Sequence, residues 1–301
     1  MKNRLIEILS KDRVLENESM KEHTTFKIGG KVKWMVLPKS KEEIIDVIKL
    51  CREENYKYEI IGNGSNLLVS DNDMDILVIK IDKNMSSFEI KDDILEVSAG
   101  IVFSTMAKKL SNLGYKNFEY ATGIPGSLGG AIYMNAGAYG GEIKENLISV
   151  TYISENGDLL EKEIEHTNMG YRSSMFQNEK CIILSAKMLL EKGEKEEILA
   201  KVKDLTSKRI AKQPIDKPSA GSTFKWPDGV EHTAAWFIEQ YGFKGYKIGG
   251  AQVSEKHSGF VINTGNATAE DVINLTNHIK EKIIEKYGVE LHLEVKKIGE
   301  F

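Results

Sequence analysis

The chain is poor in the residues that mark several protein classes. Only two of its 301 residues are cysteine and five are proline. Cys51 and Cys181 lie beside aliphatic residues and outside any CxxC pair, so we expect two small buried side chains in a reducing cytosol, with a single structural disulfide as the alternative. The six histidines are scattered without metal-ligand spacing. The sequence therefore predicts no metal site.

Long apolar runs and an excess of basic charge are also lacking. No segment reaches the ~20 apolar residues that span a membrane. Glu7, Lys11 and Asp12 interrupt the apolar core that a signal peptide needs. The net charge is −4, with lysine and arginine spread along the chain, which is atypical of a nucleic-acid binder. We therefore expect a cytoplasmic protein that neither enters a membrane nor binds nucleic acid.

Glycine, by contrast, is concentrated in two loops. In Ala121–Gly140, half of the residues are glycine or alanine, and a shorter segment of the same kind, Gly62–Leu67, follows a strand-like apolar run. Dense glycine weakens helices and strands and is typical of close backbone approach. The loops predict a large phosphate-bearing cofactor lying against main-chain N–H groups. A set of tight structural turns is the alternative.

Two common nucleotide motifs do not fit these loops. Leu67 stands where a Rossmann fingerprint needs its third glycine, and an extended run rather than a helix follows it. A Walker A loop is excluded because Gly-Lys-Ser/Thr does not occur. The pattern favours a cofactor retained over many turnovers, bound by main chain and by Ser65, Asn66 and Asn135.

Helix and strand patterns alternate in the first two-thirds of the chain. Ser40 and Glu43 form a capping-box pattern at the start of a helix. Ser104 is a candidate cap for a second helix that ends at Gly114. Asn156-Gly157 predicts a β-hairpin between the strands on either side.

The pattern changes at Gly193, where we place a domain boundary near 190–194. Beyond it the sequence predicts helices over 194–212, 233–241 and 268–287, and a closing strand over 289–298. Both halves of the chain are therefore α+β in character.

Seven segments of the chain, taken in order, form a recognisable pattern. They are TTFKIGG (24–30), IGNGSNLL (61–68), ATGIPGSLGGAIYMNAGAYG (121–140), YRSSMF (171–176), AGSTFKWP (220–227), GGAQVSEKHSGFVIN (249–263) and GVELHLEVKKIG (288–299). Together they closely resemble the UDP-N-acetylenolpyruvoylglucosamine reductase family, the flavoenzymes of bacterial peptidoglycan synthesis. The resemblance covers essentially the whole chain.

The resemblance implies an α+β protein with the two-subdomain FAD-binding fold of the vanillyl-alcohol-oxidase type and a C-terminal α+β substrate-binding domain. The FAD-binding domain is expected over 1–190, with its subdomains divided near 80–85. The substrate-binding domain follows over 191–288, and a strand over 289–301 returns to the N-terminal part. The length and the direct hairpin at 148–164 resemble the shorter type of the family, which lacks an extra substrate-loop tyrosine.

The activity implied is reduction of UDP-N-acetylglucosamine enolpyruvate to UDP-N-acetylmuramate by a monomer that holds FAD tightly and uses NADPH as co-substrate. Two alternatives stay open at this point. One is a flavin-dependent oxidase of the same cofactor fold, with oxygen as the acceptor. The other is a nucleotide-sugar-binding regulatory module without activity.

Three residues match catalytic positions of the family. Ser222 matches the donor of a proton to the substrate α-carbon, Arg172 the arginine near the substrate carboxylate, and Glu294 the catalytic glutamate. Without the resemblance, Ser222 would be interpreted as a turn serine, Arg172 as part of a surface salt bridge and Glu294 as a solvated strand residue. Strand alternation alone does not separate Glu294 from Glu290, which lies on the same face.

The resemblance also implies a set of binding residues. Lys212 resembles the lysine near the UDP phosphates, with Arg209 and Lys225 as secondary candidates, while ordinary surface positions are the alternative for all three. Trp226 stands at the position where the longer type of the family has an asparagine. His257 is expected to have a structural role. The residues expected at FAD are Asn63, Gly64, Ser65, Asn66, Leu67, Gly123, Pro125, Gly126, Ser127, Gly129, Gly130, Ala131, Asn135, Gly137 and Ala138.

Overall fold

The computed structural model describes residues Met1–Phe301 as seven α-helices and sixteen β-strands. The helices are α1 (Lys2–Leu9), α2 (Lys41–Glu53), α3 (Phe103–Asn112), α4 (Leu128–Tyr133), α5 (Lys195–Lys212), α6 (Ala234–Tyr241) and α7 (Ala269–Tyr287). The strands are β1 (Val14–Ser19), β2 (Lys31–Val36), β3 (Tyr58–Ile61), β4 (Leu67–Val69), β5 (Met74–Lys80), β6 (Phe88–Lys91), β7 (Ile94–Ser98), β8 (Gly137–Ala138), β9 (Gly141–Glu142), β10 (Leu147–Ile153), β11 (Leu159–Glu163), β12 (Ile182–Leu189), β13 (Lys247–Ile248), β14 (Ala251–Val253), β15 (Val261–Asn263) and β16 (Lys296–Ile298). No helix combines the length and the apolar character that a membrane crossing requires.

Contacts divide the chain into two compact units, each assembled from separate segments. The first unit consists of Met1–Glu16, Trp34–Asn63 and Asp75–Lys208. The second consists of Asn17–Lys33, Gly64–Met74 and Arg209–Phe301. Neither unit is one continuous stretch of chain, and the division into three domains expected from the sequence stays a prediction.

The first unit is built around an antiparallel sheet of five strands in the order β11-β10-β12-β7-β6. It also holds most residues of a four-stranded sheet in the order β1-β2-β5-β3, in which β3 and β5 run parallel. The apolar faces of α2 and α3 pack into one core, where Ile44, Phe103 and Leu110 are fully buried. Both cysteines of this unit are free, and burial raises the pKa of the buried Cys51 to about 11.

Local sequence patterns in this unit were confirmed with two corrections. The Ser40 hydroxyl caps α2 by accepting from Glu43 N (3.3 Å). Ser104 does not cap its helix, because α3 already begins at Phe103, with Val102 as the N-cap and no side-chain cap hydrogen bond. The hairpin at Asn156-Gly157 forms, but its loop has five residues, since Ile153 and Leu159 are the last paired residues.

The second unit packs α6 and α7 with a three-stranded sheet in the order β13-β14-β15. Both helices end where the sequence predicts and begin one residue later, because Thr233 and Thr268 are their N-caps. At the start of α7 the Thr268 hydroxyl accepts from Asp271 N (3.0 Å), and the Asp271 carboxylate accepts from Thr268 N (3.1 Å). The helix ends at Gly288, whose φ of +67° suits glycine.

The predicted closing strand over 289–298 is too long. Only β16 forms a regular strand, parallel to β4, with Lys296 opposite Leu67. Upstream of it, Leu293 makes an isolated antiparallel bridge with Phe224. The segment changes hydrogen-bonding partner between these two contacts, so no continuous ladder forms. The expected alternation of burial holds only in part, since Leu291 and Val295 are buried but Leu293 is half-buried, as Glu294 is.

Candidate active site

The glycine-rich segment Ala121–Gly140 forms α4 and the turns around it. The Ser127 hydroxyl accepts from Gly130 N (3.3 Å) and thereby caps this short helix. Main-chain bonds anchor the segment, with Leu128 N donating to Ile101 O (2.9 Å) and Gly129 N to Ala99 O (2.9 Å). The N–H of Gly129 and the hydroxyl of Ser127 are therefore part of the segment's own framework.

The shorter loop contains two positions at which only glycine fits. A Cβ at Gly62 would overlap the Ser127 hydroxyl. A Cβ at Gly64, whose φ is +64°, would overlap the His23 carbonyl. Between them, Asn63 Nδ2 donates to the Pro125 carbonyl (2.6 Å), which ties the two glycine-rich loops together.

The surface of these loops fits a phosphate-bearing cofactor. Pro125 and Gly130 are exposed and Gly123 and Gly126 are half-buried, so main chain rather than side chain forms much of this surface. Main-chain N–H groups in such turns are a usual site for phosphate. This chemistry agrees with the cofactor predicted from the sequence.

Asn135 supports the glycine-rich segment from inside. Its side chain is fully buried, with Nδ2 donating to a Glu142 carboxylate oxygen (3.0 Å) and to Gly170 O (2.8 Å). Oδ1 accepts from Lys144 N (3.4 Å). Partial burial raises the pKa of Glu142, but the hydrogen bonds from Lys144 and Asn135 lower it overall. The role of Asn135 as a direct cofactor ligand stays a prediction.

Replacement of Asn135 by alanine is expected to lower the free energy of unfolding by about 2–4 kcal/mol, because buried partners lose their hydrogen bonds. The backbone φ of +42° at this position adds to the cost, since alanine tolerates it poorly. Urea unfolding of the apoprotein measures the change. The exposed Asn266 supplies the matched control, Asn266→Ala, with an expected change within about 0.5 kcal/mol. A loss below 1 kcal/mol for Asn135→Ala would contradict the structural role.

Arg172 is fixed by both its backbone and its side chain. Gly170 and Ser173 exchange two main-chain hydrogen bonds (3.0 and 3.2 Å) around a tight turn, and Arg172 takes a φ of +50° within it. A non-glycine residue in this conformation stores about 1–3 kcal/mol of strain, which is frequent at functional sites. Its Nη2 donates to Gly137 O (3.0 Å), and its guanidinium lies 5.1 Å from the centre of the Tyr171 ring.

Ser222 and Glu294 lie on adjacent segments of the second unit. Thr223, which follows Ser222, accepts from Glu294 N through its carbonyl (2.9 Å). Thr223 N donates to Gly259 O (2.8 Å), and its buried hydroxyl accepts from Val261 N (2.9 Å). The structure thus brings together two residues that are separated by 72 positions in the sequence (294 − 222).

Two lysines lie close to one another in the same region. Lys225 N donates to His292 O (2.9 Å), which continues the pairing that begins at Thr223. Burial lowers the pKa of Lys296, and the charge of Lys225 lowers it further. Sequence reasoning selected Lys225 and missed Lys296, because a lysine in a terminal strand is typical of solvated surface. The pair concentrates positive charge near Glu294.

Lys212 and Arg209 occupy the last turn of α5, where Arg209 O accepts from Gln213 N (2.9 Å). Burial lowers the pKa of His257, and the charges of Lys244 and Lys212 act in the same direction. The ring of His257 accepts from Gly259 N through Nδ1 (3.1 Å), which agrees with a structural role.

Two further polar groups lie next to these candidates. The amide oxygen of Gln213 is buried without a hydrogen-bond donor, so it can accept from a ligand. Nothing in the sequence distinguishes it from a surface glutamine. The exposed indole of Trp226 donates to Val230 O (3.2 Å).

Comparison with known proteins gives two matching family models. Residues 32–162 match the FAD binding domain model. Residues 213–298 match the model of the C-terminal domain of UDP-N-acetylenolpyruvoylglucosamine reductase.

Individual relatives agree with these models. The UDP-N-acetylenolpyruvoylglucosamine reductase of Alkaliphilus oremlandii is 45% identical over 98% of this chain and 97% of its own. That of Syntrophomonas wolfei is 44% identical over the full length of both chains. The crystal structure of UDP-N-acetylenolpyruvylglucosamine reductase from Thermus caldophilus superposes with a TM-score of 0.80 at 29% identity, covering 95% of this chain and 98% of the other. The predicted α+β class, an FAD-binding fold of the vanillyl-alcohol-oxidase type followed by a C-terminal substrate-binding domain, is confirmed.

Proposed function

The chain belongs to the UDP-N-acetylenolpyruvoylglucosamine reductase family, and we propose how its residues carry out the FAD-dependent reduction of that substrate in peptidoglycan precursor synthesis. The electron donor in this proposal is NADPH, and the product is UDP-N-acetylmuramate. The enzyme works as a cytoplasmic monomer. The main support for the proposal is one hydrogen bond, in which the N–H of Glu294 donates to the carbonyl of Thr223, the residue after Ser222.

The glycine-rich loops hold the cofactor in this proposal. The segment 123–138 and the loop around Ser65 and Asn66 bind its phosphates through main-chain N–H groups and short polar side chains. FAD bound there would supply the redox chemistry, namely a hydride for the β-carbon of the enol ether with NADPH as the source of electrons.

Three side chains then act on the substrate. Hydride arrival at the β-carbon leaves negative charge on the α-carbon and its carboxylate, which the planar guanidinium of Arg172 stabilises by paired hydrogen bonds. Ser222 gives its hydroxyl proton to the α-carbon. Glu294 polarises the same centre or returns a proton to Ser222. The strained, doubly anchored backbone of Arg172 supports this assignment, since it presents the guanidinium in one fixed position.

Lysines bind the anionic part of the substrate. Lys225 and Lys296 concentrate positive charge beside Glu294. Lys212 and Arg209 are the further candidates, in the last turn of α5. Lysine acts toward phosphate as a point charge. The buried oxygen of Gln213, which has no donor from the protein, accepts a hydrogen bond from the substrate.

An anaerobic titration followed by visible absorbance tests the proposed function. NADPH should bleach the flavin, and UDP-N-acetylglucosamine enolpyruvate should restore its colour in stoichiometric amount. Recovery only with oxygen, accompanied by peroxide, would indicate an oxidase instead. A protein that stays colourless after FAD is supplied would contradict the proposal and favour a regulatory module.

A further inference from the structure

We propose that Asn66 is a positioning residue that holds Glu294 in place through its side-chain amide. The proposal rests on the role given to Glu294 above. Sequence reasoning assigned Asn66 to the cofactor phosphates alone. Its contacts within the second unit assign it a second task on the C-terminal segment.

Asn66 binds the main chain on both sides of Val295. Its Nδ2 donates to the carbonyl of Glu294 (3.2 Å). Its own carbonyl accepts from the N–H of Lys296 (2.9 Å). The parallel pairing of β16 with β4 begins at the next residue, where Leu67 lies opposite Lys296. Asn66 therefore extends this pairing by one position. Its side-chain amide donates to the Glu294 carbonyl, where a regular strand would use a main-chain N–H.

Both main-chain polar groups of Glu294 are thereby bound. Its N–H donates to Thr223 O (2.9 Å), and its carbonyl accepts from Asn66. The Thr223 contact and the Lys296 contact use only main chain, so no substitution removes them directly. The Asn66 amide, by contrast, is a restraint on Glu294 that a side-chain replacement can delete.

The consequence for chemistry follows from the precision that catalysis requires. A catalytic group displaced by about 1 Å can lose 10²-fold in rate, even when the change lies outside the reacting atoms. Asn66 belongs to the loop that is proposed to bind cofactor phosphate, and its amide reaches Glu294, two residues before β16. One side chain thus joins the cofactor loop to the position of Glu294.

The test compares Asn66→Ala with the wild-type holoenzyme in three separate measurements. Because Asn66 lies in the loop that is proposed to bind the cofactor, we expect weaker FAD binding, and both half-reactions are therefore measured with the flavin site saturated. Flavin reduction by NADPH should then slow by a smaller factor than reoxidation does. Reoxidation by the enolpyruvyl substrate should slow about 10-fold, an effect within the usual range for coupled neighbours. The control Asn266→Ala makes the same chemical change at an exposed site of the same unit and should match the wild type.

A double-mutant cycle with Glu294→Gln shows whether Asn66 acts through Glu294. In the Glu294→Gln background, Asn66→Ala should slow reoxidation less than 2-fold further, because the group that it positions is already disabled. Additive losses would overturn the inference, as would weaker FAD binding with normal reoxidation. If Glu294→Gln alone leaves reoxidation unchanged, the proposed role of Glu294 fails first, which is a different result from a silent Asn66→Ala in an enzyme that needs Glu294.

Discussion

Replacement of Ser222 by alanine is expected to slow reoxidation of the flavin by the enolpyruvyl substrate about 10²–10⁴-fold, the usual range for general acid catalysis. Reduction by NADPH should stay nearly unchanged, because that step needs no proton at the substrate α-carbon. The fold should tolerate the change, since Thr223 rather than Ser222 makes the bonds to Gly259 and Glu294. Stopped-flow absorbance measures the two half-reactions separately.

Ser219→Ala is the matched control for this experiment. It makes the same change three residues away in the same loop, where Ser219 pairs with Ile262 through main chain. We expect its two half-reactions to stay within about 2-fold of the wild type, as for most substitutions outside the site. An equal loss of rate in both half-reactions of Ser222→Ala would refute its role as proton donor.

The sequence predicted best those elements whose signals are local. The helix predicted over 268–287 is α7, which has Thr268 as its N-cap and ends at Tyr287 before Gly288, so both bounds were correct to within one residue. The closing strand failed because its length depends on which distant segment pairs with it. Leu293 pairs with Phe224 and Lys296 with Leu67, and no periodicity in the segment itself encodes that change of partner.

The residues of the candidate site also fall into two groups, those that local motifs identify and those that depend on contacts between distant segments. The resemblance selected Ser222 and Glu294 by their local motifs, but it gave no reason to connect Glu294 with Asn66, which is 228 residues away. Lys296 was missed because its perturbed pKa arises from burial and from Lys225, and neither is visible in composition. The structural use of Asn135 was missed for a related reason, since Gly170 and Lys144 reach it only in the folded chain.

Replacement of Arg172 by lysine is expected to slow reoxidation by the enolpyruvyl substrate about 10²–10³-fold, comparable to loss of one oxyanion donor. Lysine keeps the charge but lacks the planar pair of donors that a carboxylate accepts. It also loses the bond that fixes the guanidinium at Gly137 O. Single-turnover absorbance of the prereduced enzyme, mixed with substrate, measures the rate.

The variant Arg172→Gly tests whether Arg172 acts on the substrate carboxylate or only stabilises the turn. Glycine adopts a φ of +50° without strain, so the relief should offset the lost hydrogen bond and keep the free energy of unfolding within about 1 kcal/mol of the wild type. The rate of reoxidation should nevertheless fall at least as far as in Arg172→Lys. A surface salt bridge contributes about 0–1 kcal/mol and nothing to the half-reaction. If Arg172→Gly reoxidises at the wild-type rate, the strained backbone at Arg172 serves the turn rather than the substrate carboxylate.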